Sequence, residues 1–338
     1  MPQAQRSAAL ATDKNPLDQL ADALKPELNA VNKIILDKMQ SDIPLIPQLA
    51  GHLIAAGGKR IRPLMTLASA GIFDYEGDRQ YRLAACVEFI HTATLLHDDV
   101  VDESDQRRGK ASANALFGNE AAVLVGDFLF SRSFQLMVED GSIDVLRILS
   151  NASAIIAEGE VLQLTTANNL DTTFAQYLKV IQAKTAELFA SACEVGGVVA
   201  DRSAAECRAL RDYGTYLGVA FQISDDVLDY AASEKNLGKS LGDDFKEGKM
   251  TLPVIQALEK ATPAEKAFWQ KTMVDLTQDD HSLQQAVEIL QKHQTLETSL
   301  KEASRYAQKG IDSLKTLPQH PLRKNLEDLI VFAVERGY

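Results

Sequence analysis

Two carboxylate clusters of one pattern stand in this sequence: Asp98-Asp99-Val100-Val101-Asp102 and, 127 residues later, Asp225-Asp226-Val227-Leu228-Asp229. An apolar lead-in precedes each, His91 to His97 and Val219 to Ser224. On a helix, residues four apart share a face, so Asp98 with Asp102 and Asp225 with Asp229 converge on one side, while Asp99 and Asp226 lie about 100° round. Convergent carboxylates repel one another unless divalent cations sit among them. Hard oxygen ligands with open coordination positions suit Mg²⁺ bridged to phosphate oxygens. One such cluster could as readily be a solvated acidic face; two, both behind apolar stretches, point to chemistry.

The cations are as suggestive. In Gly57-Gly58-Lys59-Arg60-Ile61-Arg62-Pro63 the glycines end one helix and Pro63 fits the first turn of the next. Lys59 and Arg62 then stand at a helix N-terminus, whose N–H groups and dipole suit a diphosphate carrying no metal of its own. Taken alone, a basic helix-turn is often only solvated. Arg107 and Arg108 follow Asp102 by five and six residues. Adjacent residues point in different directions, so one could reach a metal-bound diphosphate and the other a second anion. Lys184 beside Thr185, Lys239 fourteen residues after Asp225, and Lys249 add further positive charge; each could equally be a surface lysine.

Helices must position these groups. All ten prolines lie at or before Pro63 or at or after Pro253, which frees 189 residues, Leu64 to Leu252, for long helices. Within them apolar residues recur at three and four, as in Leu83, Val87, Ile90 and on to Thr94, and Ala, Leu, Glu and Gln dominate. Breaks are expected at Gly57-Gly58, Asp74 to Asp78, Gly109 to Ser112, Gly141-Ser142, Asn168 to Thr172, Ala200 to Ser203 and Ser233 to Lys249. No low-complexity linker divides the chain, so residues 15–338 read as one all-α domain, with a mobile N-terminus over residues 1–14.

The chain has 338 residues and a net charge of −12, with 46% hydrophobic residues, which excludes disorder and allows a sizeable core. An acidic balance disfavours nucleic acid. The longest uncharged run, Ile43 to Gly58, is broken by Pro44 and Pro47, so no membrane span is expected. Cys86, Cys193 and Cys207 are scattered within apolar helical pattern and read as packing residues, which with the unremarkable N-terminus suggests a reducing cytoplasm.

Assembled, these segments resemble the trans-isoprenyl diphosphate synthases of the long-chain polyprenyl type. The likeness spans roughly Ala56 to Pro253 and rests on GGKRIRP, DDVVDESDQRR, GEVLQL (Gly159 to Leu164), Lys184-Thr185, FQISDDVLD (Phe221 to Asp229) and GKMTLP. It implies a single-domain helical bundle of the isoprenoid synthase type with a central cavity. It further implies that Asp98, Asp102 and Asp225 hold Mg²⁺, three ions once substrate is bound, with Asp99, Asp226 and Asp229 completing or supporting the shell. Arg107, Lys184, Lys239 and Lys249 would contact the leaving diphosphate of an allylic substrate. Lys59, Arg62, His91 and Arg108 would hold isopentenyl diphosphate. Dipoles near Lys184, Thr185 and Gln222 would face the allylic cation, and released diphosphate would serve as base. Electrostatics thus lower the barrier without a covalent nucleophile.

His91 lies seven residues before Asp98 and shares its face. A histidine on an apolar helix is often only a core residue, and His97 is read that way. Glu160 and Gln163 have an orienting or a packing role. Where short-chain members carry bulky aromatics before the first motif, this chain has Ala93 and Thr94, which leaves a tunnel open to products beyond about twenty carbons. Candidates for its floor are Phe89, Ile90, Phe128, Phe130, Phe134 and Met137. The resemblance also implies an octaprenyl-range side chain of a respiratory quinone as product, a homodimer, and transient membrane contact for product release. Alternatives are a class I terpene cyclase, which would need only one diphosphate site, and a non-catalytic partner subunit, which would be expected to lose aspartates.

Overall fold

The computed structural model describes residues 14–55, 58–107, 110–231 and 242–335, the side chains of 53–55 excepted. Arg108 and Lys239 fall outside the described residues, as do residues 1–13 of the N-terminus read as mobile and Gly57 of the basic turn. The rest is almost wholly helical, as the periodicity predicts.

Two long helices carry the acidic motifs. The first-motif helix, Arg79–Val101, is buried on most of its circumference, and its buried polar residues are Gln80, Glu88 and Asp99. It ends as the motif does, with Asp102 as its C-cap. The second-motif helix, Ala204–Ala231, contains Asp225, Asp226 and Asp229 in one continuous run. Helices Ile61–Gly71 and Glu187–Val199 pack between and beside these two. Leu64, Leu83, Val87, Ile90, Cys193 and Leu217 are buried at their contact. One apolar cluster runs from Leu17 to Val334.

The expected breaks have local chemical causes. Gly141 takes the left-handed conformation after helix Asn119–Asp140, and the Ser142 hydroxyl accepts from the Val145 N–H to start helix Ile143–Thr166. Thr173 and Gln176 form a reciprocal cap at helix Phe174–Ile181. The single antiparallel pairing among the described residues, Gln106–Arg107 with Lys110–Ala111, was not expected from the pattern and folds the arginine segment back on itself.

A second departure concerns the helix Asn119–Asp140. Its 22 residues are long and apolar enough to cross a membrane by length and composition, although the proline-broken run at Ile43 to Gly58 had suggested no such segment. One face packs on the first-motif helix, and it carries Asp127 and Arg132 within its length.

Between helices Phe174–Ile181 and Glu187–Val199 lies a turn of π-helix, Gln182–Ala186. The extra residue per turn re-aims the side chains of Lys184 and Thr185 relative to a continuous α-helix. Two glycines make room for it. A Cβ on Gly159 would lie 2.9 Å from the Lys184 backbone nitrogen, and one on Gly218 would lie 2.4 Å from the Ala186 Cα. Helix Ile143–Thr166 and the second-motif helix therefore clasp this turn from two sides.

Candidate active site

The first motif keeps its helical register to the end, with the Asp102 N–H bonded to the Asp98 carbonyl at 2.8 Å. Asp98 and Asp102 consequently share one face, and each meets a lysine from a distant segment. Lys184 Nζ stands 3.8 Å from Asp98 and Lys249 Nζ 3.2 Å from Asp102. Burial lifts the Asp98 carboxyl above its ordinary range; Lys184 opposes the shift and Asp102 adds to it. Burial works against the Lys249 ammonium, but Asp244, Asp102 and Glu247 together outweigh it and hold that group well above the usual lysine range. Lys249 also ion-pairs with Glu247, and its backbone N–H donates to the Asp244 carbonyl at 2.9 Å. It thus ties the first motif to the segment that follows the second.

Asp99 points the other way. Its side chain is 1% exposed and accepts from Arg107 Nε and one terminal nitrogen at 2.6–2.9 Å. The chain reverses as the helix ends, where Glu103 takes the left-handed conformation and the Ser104 N–H donates to the Asp99 carbonyl at 2.9 Å, and Arg107 comes back over the helix it has just left. Asn114 Nδ2 donates to the carbonyls of Asp99 and Ser104, each at 3.1 Å, and pins that return.

The second motif divides in the same manner. Asp225 is half-buried. Asp226 is 3% exposed and accepts from the Tyr177 hydroxyl at 2.5 Å and from Gln222 Nε2 at 2.7 Å. Thr185 Oγ1 in turn donates to Gln222 Oε1 at 2.8 Å, so Thr185, Gln222, Asp226 and Tyr177 form one chain of hydrogen bonds. Burial, with Asp244 nearby, drives the Asp226 carboxyl well up against the pull of Tyr177 and Gln222. Asp229 caps the short helix Asp243–Lys246, accepting from the backbone N–H of Asp243 at 3.2 Å and of Asp244 at 3.1 Å. Its carboxyl is pushed up to about 7, by burial first and by Asp244 second, against the caps that lower it.

Glu160, which the sequence left between orienting and packing, lies in the site. Its Oε2 is 2.6 Å from Lys184 Nζ, and its Oε1 is buried with no hydrogen-bond partner. Burial and the neighbouring Asp98 raise its carboxyl, Lys184 opposing. Gln163 Oε1, one turn on, is likewise buried and unpartnered. The signal for Glu160 in the sequence is Gly159, whose missing Cβ lets the two backbones close.

On the basic side, Lys59 is exposed, and Arg62 sends one terminal nitrogen to within 3.1 Å of His91 Nε2. The Arg62 guanidinium lies 4.4 Å from the centre of the Phe189 ring. His91 and Arg62 are thus brought together, and Lys59 stands three residues before Arg62 in the same basic turn. His97 is structural: it packs where a Cβ of Gly126 would be, and its Nε2 is 3.2 Å from the Val123 carbonyl.

Below the first motif, Ala93 is 1% exposed, and the Thr94 hydroxyl bonds back to the His91 carbonyl at 2.8 Å. Phe89 and Leu129 line a small cavity with Ile35, Met39 and Thr92. Ile90 and Met137 are core residues, whereas Phe134, packed edge-on against Phe130, is 39% exposed and lies at the surface. The three cysteines are buried and unpaired, and burial raises the Cys86 and Cys193 thiols, which suits packing.

Among the described residues, no three His, Cys, Asp or Glu side chains come close enough together to hold a cation alone. The donors present nevertheless fit Mg²⁺ in kind: hard carboxylates, carried by the first- and second-motif helices.

Known proteins resemble this chain over nearly its whole length. The profile of the polyprenyl synthetase family matches residues 43–290. Octaprenyl diphosphate synthase of Escherichia coli (strain K12) is 46% identical over 320 residues, covering 95% of this chain and 99% of that protein. A crystal structure of a polyprenyl synthase from Caulobacter crescentus CB15, complexed with calcium and isoprenyl diphosphate, superposes with a TM-score of 0.92 at 49% identity, over 95% of this chain and 98% of that one. A decaprenyl diphosphate synthase from Rhodobacter capsulatus gives 0.92 at 52% identity, over 96% and 100%.

Proposed function

The chain belongs to the polyprenyl synthetase family and is a long-chain trans-polyprenyl diphosphate synthase, and we propose that it elongates an allylic diphosphate such as farnesyl diphosphate with isopentenyl diphosphate between its two aspartate helices. The observation that supports this best is the convergence of Lys184 and Lys249, from two distant segments, on Asp98 and Asp102. A site that already balances its carboxylates with lysines can accept Mg²⁺ and a diphosphate together without gaining net repulsion.

The family is Mg-dependent. In this reading Asp98, Asp102 and Asp225 hold three ions with substrate bound, and the ions supply charge neutralisation of the departing diphosphate. Asp99, Asp226 and Asp229 act as supports, because each is already engaged by Arg107, by Tyr177 and Gln222, or by backbone N–H groups. Lys184, Lys249, Arg107 and Lys239 bind the allylic diphosphate. Lys59, Arg62, His91 and Arg108 bind that of isopentenyl diphosphate. As the allylic C–O bond breaks, negative charge moves onto the bridging oxygen, where these cations stabilise it. The Thr185 and Gln222 oxygens face the allylic carbon, the alkene of isopentenyl diphosphate forms the new C–C bond, and the proton it sheds goes to the released diphosphate.

The second, basic corner favours this reading over a cyclase, which needs one diphosphate, and all six motif aspartates disfavour a non-catalytic subunit. We read residues 15–338 as one catalytic domain, its product as the octaprenyl-range side chain of a respiratory quinone, and its compartment as the cytoplasm. A homodimer is supported by exposed apolar side chains on neighbouring helices, Leu124 and Val138 on Asn119–Asp140, Val161 and Leu164 on Ile143–Thr166. Product release would involve transient contact with a membrane.

The test is incubation with radiolabelled isopentenyl diphosphate, farnesyl diphosphate and Mg²⁺, followed by chromatography of the dephosphorylated products. One discrete long polyprenol, abolished by EDTA, is expected. A cyclic hydrocarbon, or unchanged farnesyl diphosphate, would overturn the reading.

A further inference from the structure

Arg60, between the two residues assigned to isopentenyl diphosphate, faces away from Lys59 and Arg62 in role. It is the N-cap of helix Ile61–Gly71, yet its side chain makes no cap, and its backbone is left-handed with φ 48° and ψ 37°. That conformation is uncommon for a residue with a long side chain. The Arg60 guanidinium is ion-paired with the Glu88 carboxylate, the two side chains being 15% and 8% exposed.

Glu88 stands three residues before His91 on the first-motif helix, one turn away on the same face. Arg60 meets Glu88, and Arg62 meets His91 at 3.1 Å. The basic turn is thus stitched to the helix at two successive turns by residues that alternate along its own chain. Around the lower stitch the walls are mostly apolar, with Ile35, Met39, Phe89 and Leu129 beside the pair and Thr92 the one other polar residue. Little water competes there, so the contact fixes the register of the two segments firmly, and loss of one partner leaves a buried charge uncompensated.

We infer that the Arg60–Glu88 ion pair is the positioning device of the isopentenyl diphosphate site: it sets the height of Lys59 and Arg62 along the first-motif helix, opposite His91, without touching substrate. The inference rests on the assignment of Lys59, Arg62 and His91 to that diphosphate.

Steady-state kinetics of Glu88→Gln, varying each substrate in turn, tests it. We expect KM for isopentenyl diphosphate to rise about tenfold, with KM for the allylic substrate unchanged within about twofold, and the charge-exchanged double variant Arg60→Glu/Glu88→Arg to recover part of the loss. A purely structural pair would lower the melting temperature and leave both KM values alone, or raise both equally, and either result overturns the inference. Should Glu88→Gln fail to fold, Arg60→Lys, which keeps the charge and loses the planar fork, carries the same comparison. Calorimetric titration of wild type and Arg62→Ala with isopentenyl diphosphate separates the two levels. Equal binding by those two proteins would refute the site assignment. Weakened binding by Arg62→Ala, with Glu88→Gln like wild type, would refute the positioning role alone.

Discussion

Arg107 reaches back across eight residues to hold Asp99 with two of its guanidinium nitrogens, while Asp98, the next residue toward the N-terminus, faces Lys184. Two adjacent carboxylates therefore have opposite tasks, and substitution should separate them. Asp98→Asn removes a candidate ion ligand and is expected to lower kcat/KM on the order of 10²–10³-fold while raising the Mg²⁺ concentration for half-maximal rate. Asp99→Asn loosens the arginine and should cost about 10–100-fold with the Mg²⁺ dependence unchanged. Equal displacement of the two Mg²⁺ curves would make Asp99 a ligand after all.

The tunnel makes a different demand. Ala93 is buried beneath the motif, so Ala93→Phe should place a ring across the path of the growing chain. Reverse-phase chromatography should show shorter polyprenols at a similar rate of isopentenyl incorporation. Full-length product from this variant would mean that the chain leaves by another route.

Gly159 offers a test of the clasp around the π-helical turn. Gly159→Ala adds a methyl group 2.8 Å from the Ala183 Cβ and 2.9 Å from the Lys184 nitrogen. The turn must give way, at a cost of about 1–3 kcal/mol of stability. Since Lys184 moves with it, kcat/KM for the allylic substrate should fall by about tenfold or more. Denaturant melts paired with kinetics would show whether the two losses occur together.

Far from the chemistry, Glu265 is held by Lys292 first, then by the Thr262 cap and by His293, and its carboxyl sits at about 2, below the ordinary range. A depressed folded-state value means that the carboxylate stabilises the fold fully above the ordinary carboxyl range and loses that contribution as pH falls toward 2. Glu265→Ala should lower stability by about 0.5–1 kcal/mol at pH 7, since the Lys292 partner is largely solvated. Melting curves of variant and wild type should converge between about pH 4.5 and pH 2. A gap that stays constant over that interval would show that packing, not charge, holds the residue.

Much of this site could be read from the chain itself. The spacing of Asp98 with Asp102 and of His91 with Asp98 needs only the period of a helix, and the helix continues through the motif as required. What lay beyond reach were contacts made by departures from regular helix. Lys184 meets Glu160 because a π-turn and a glycine bring two helices together; Arg107 meets Asp99 because the chain reverses at a left-handed Glu103. Asp229 turned out to cap a helix beginning fourteen residues later, and Tyr177 to bond Asp226 across 49 residues. None of these pairings has a period, so no window of sequence displays it.

The scarcity of ready-made cation sites also bears on which metal the enzyme uses. Among the described residues the carboxylates do not gather in threes, and two of them rest against lysines. Copper, nickel and zinc bind a given set of protein ligands more tightly than magnesium does, so a complete cage would be filled by them in advance. Carboxylates that do not gather in threes offer such ions little to scavenge. In that case the metal held would be the ion that already accompanies phosphates in solution, and an incoming diphosphate would itself act as the selectivity filter.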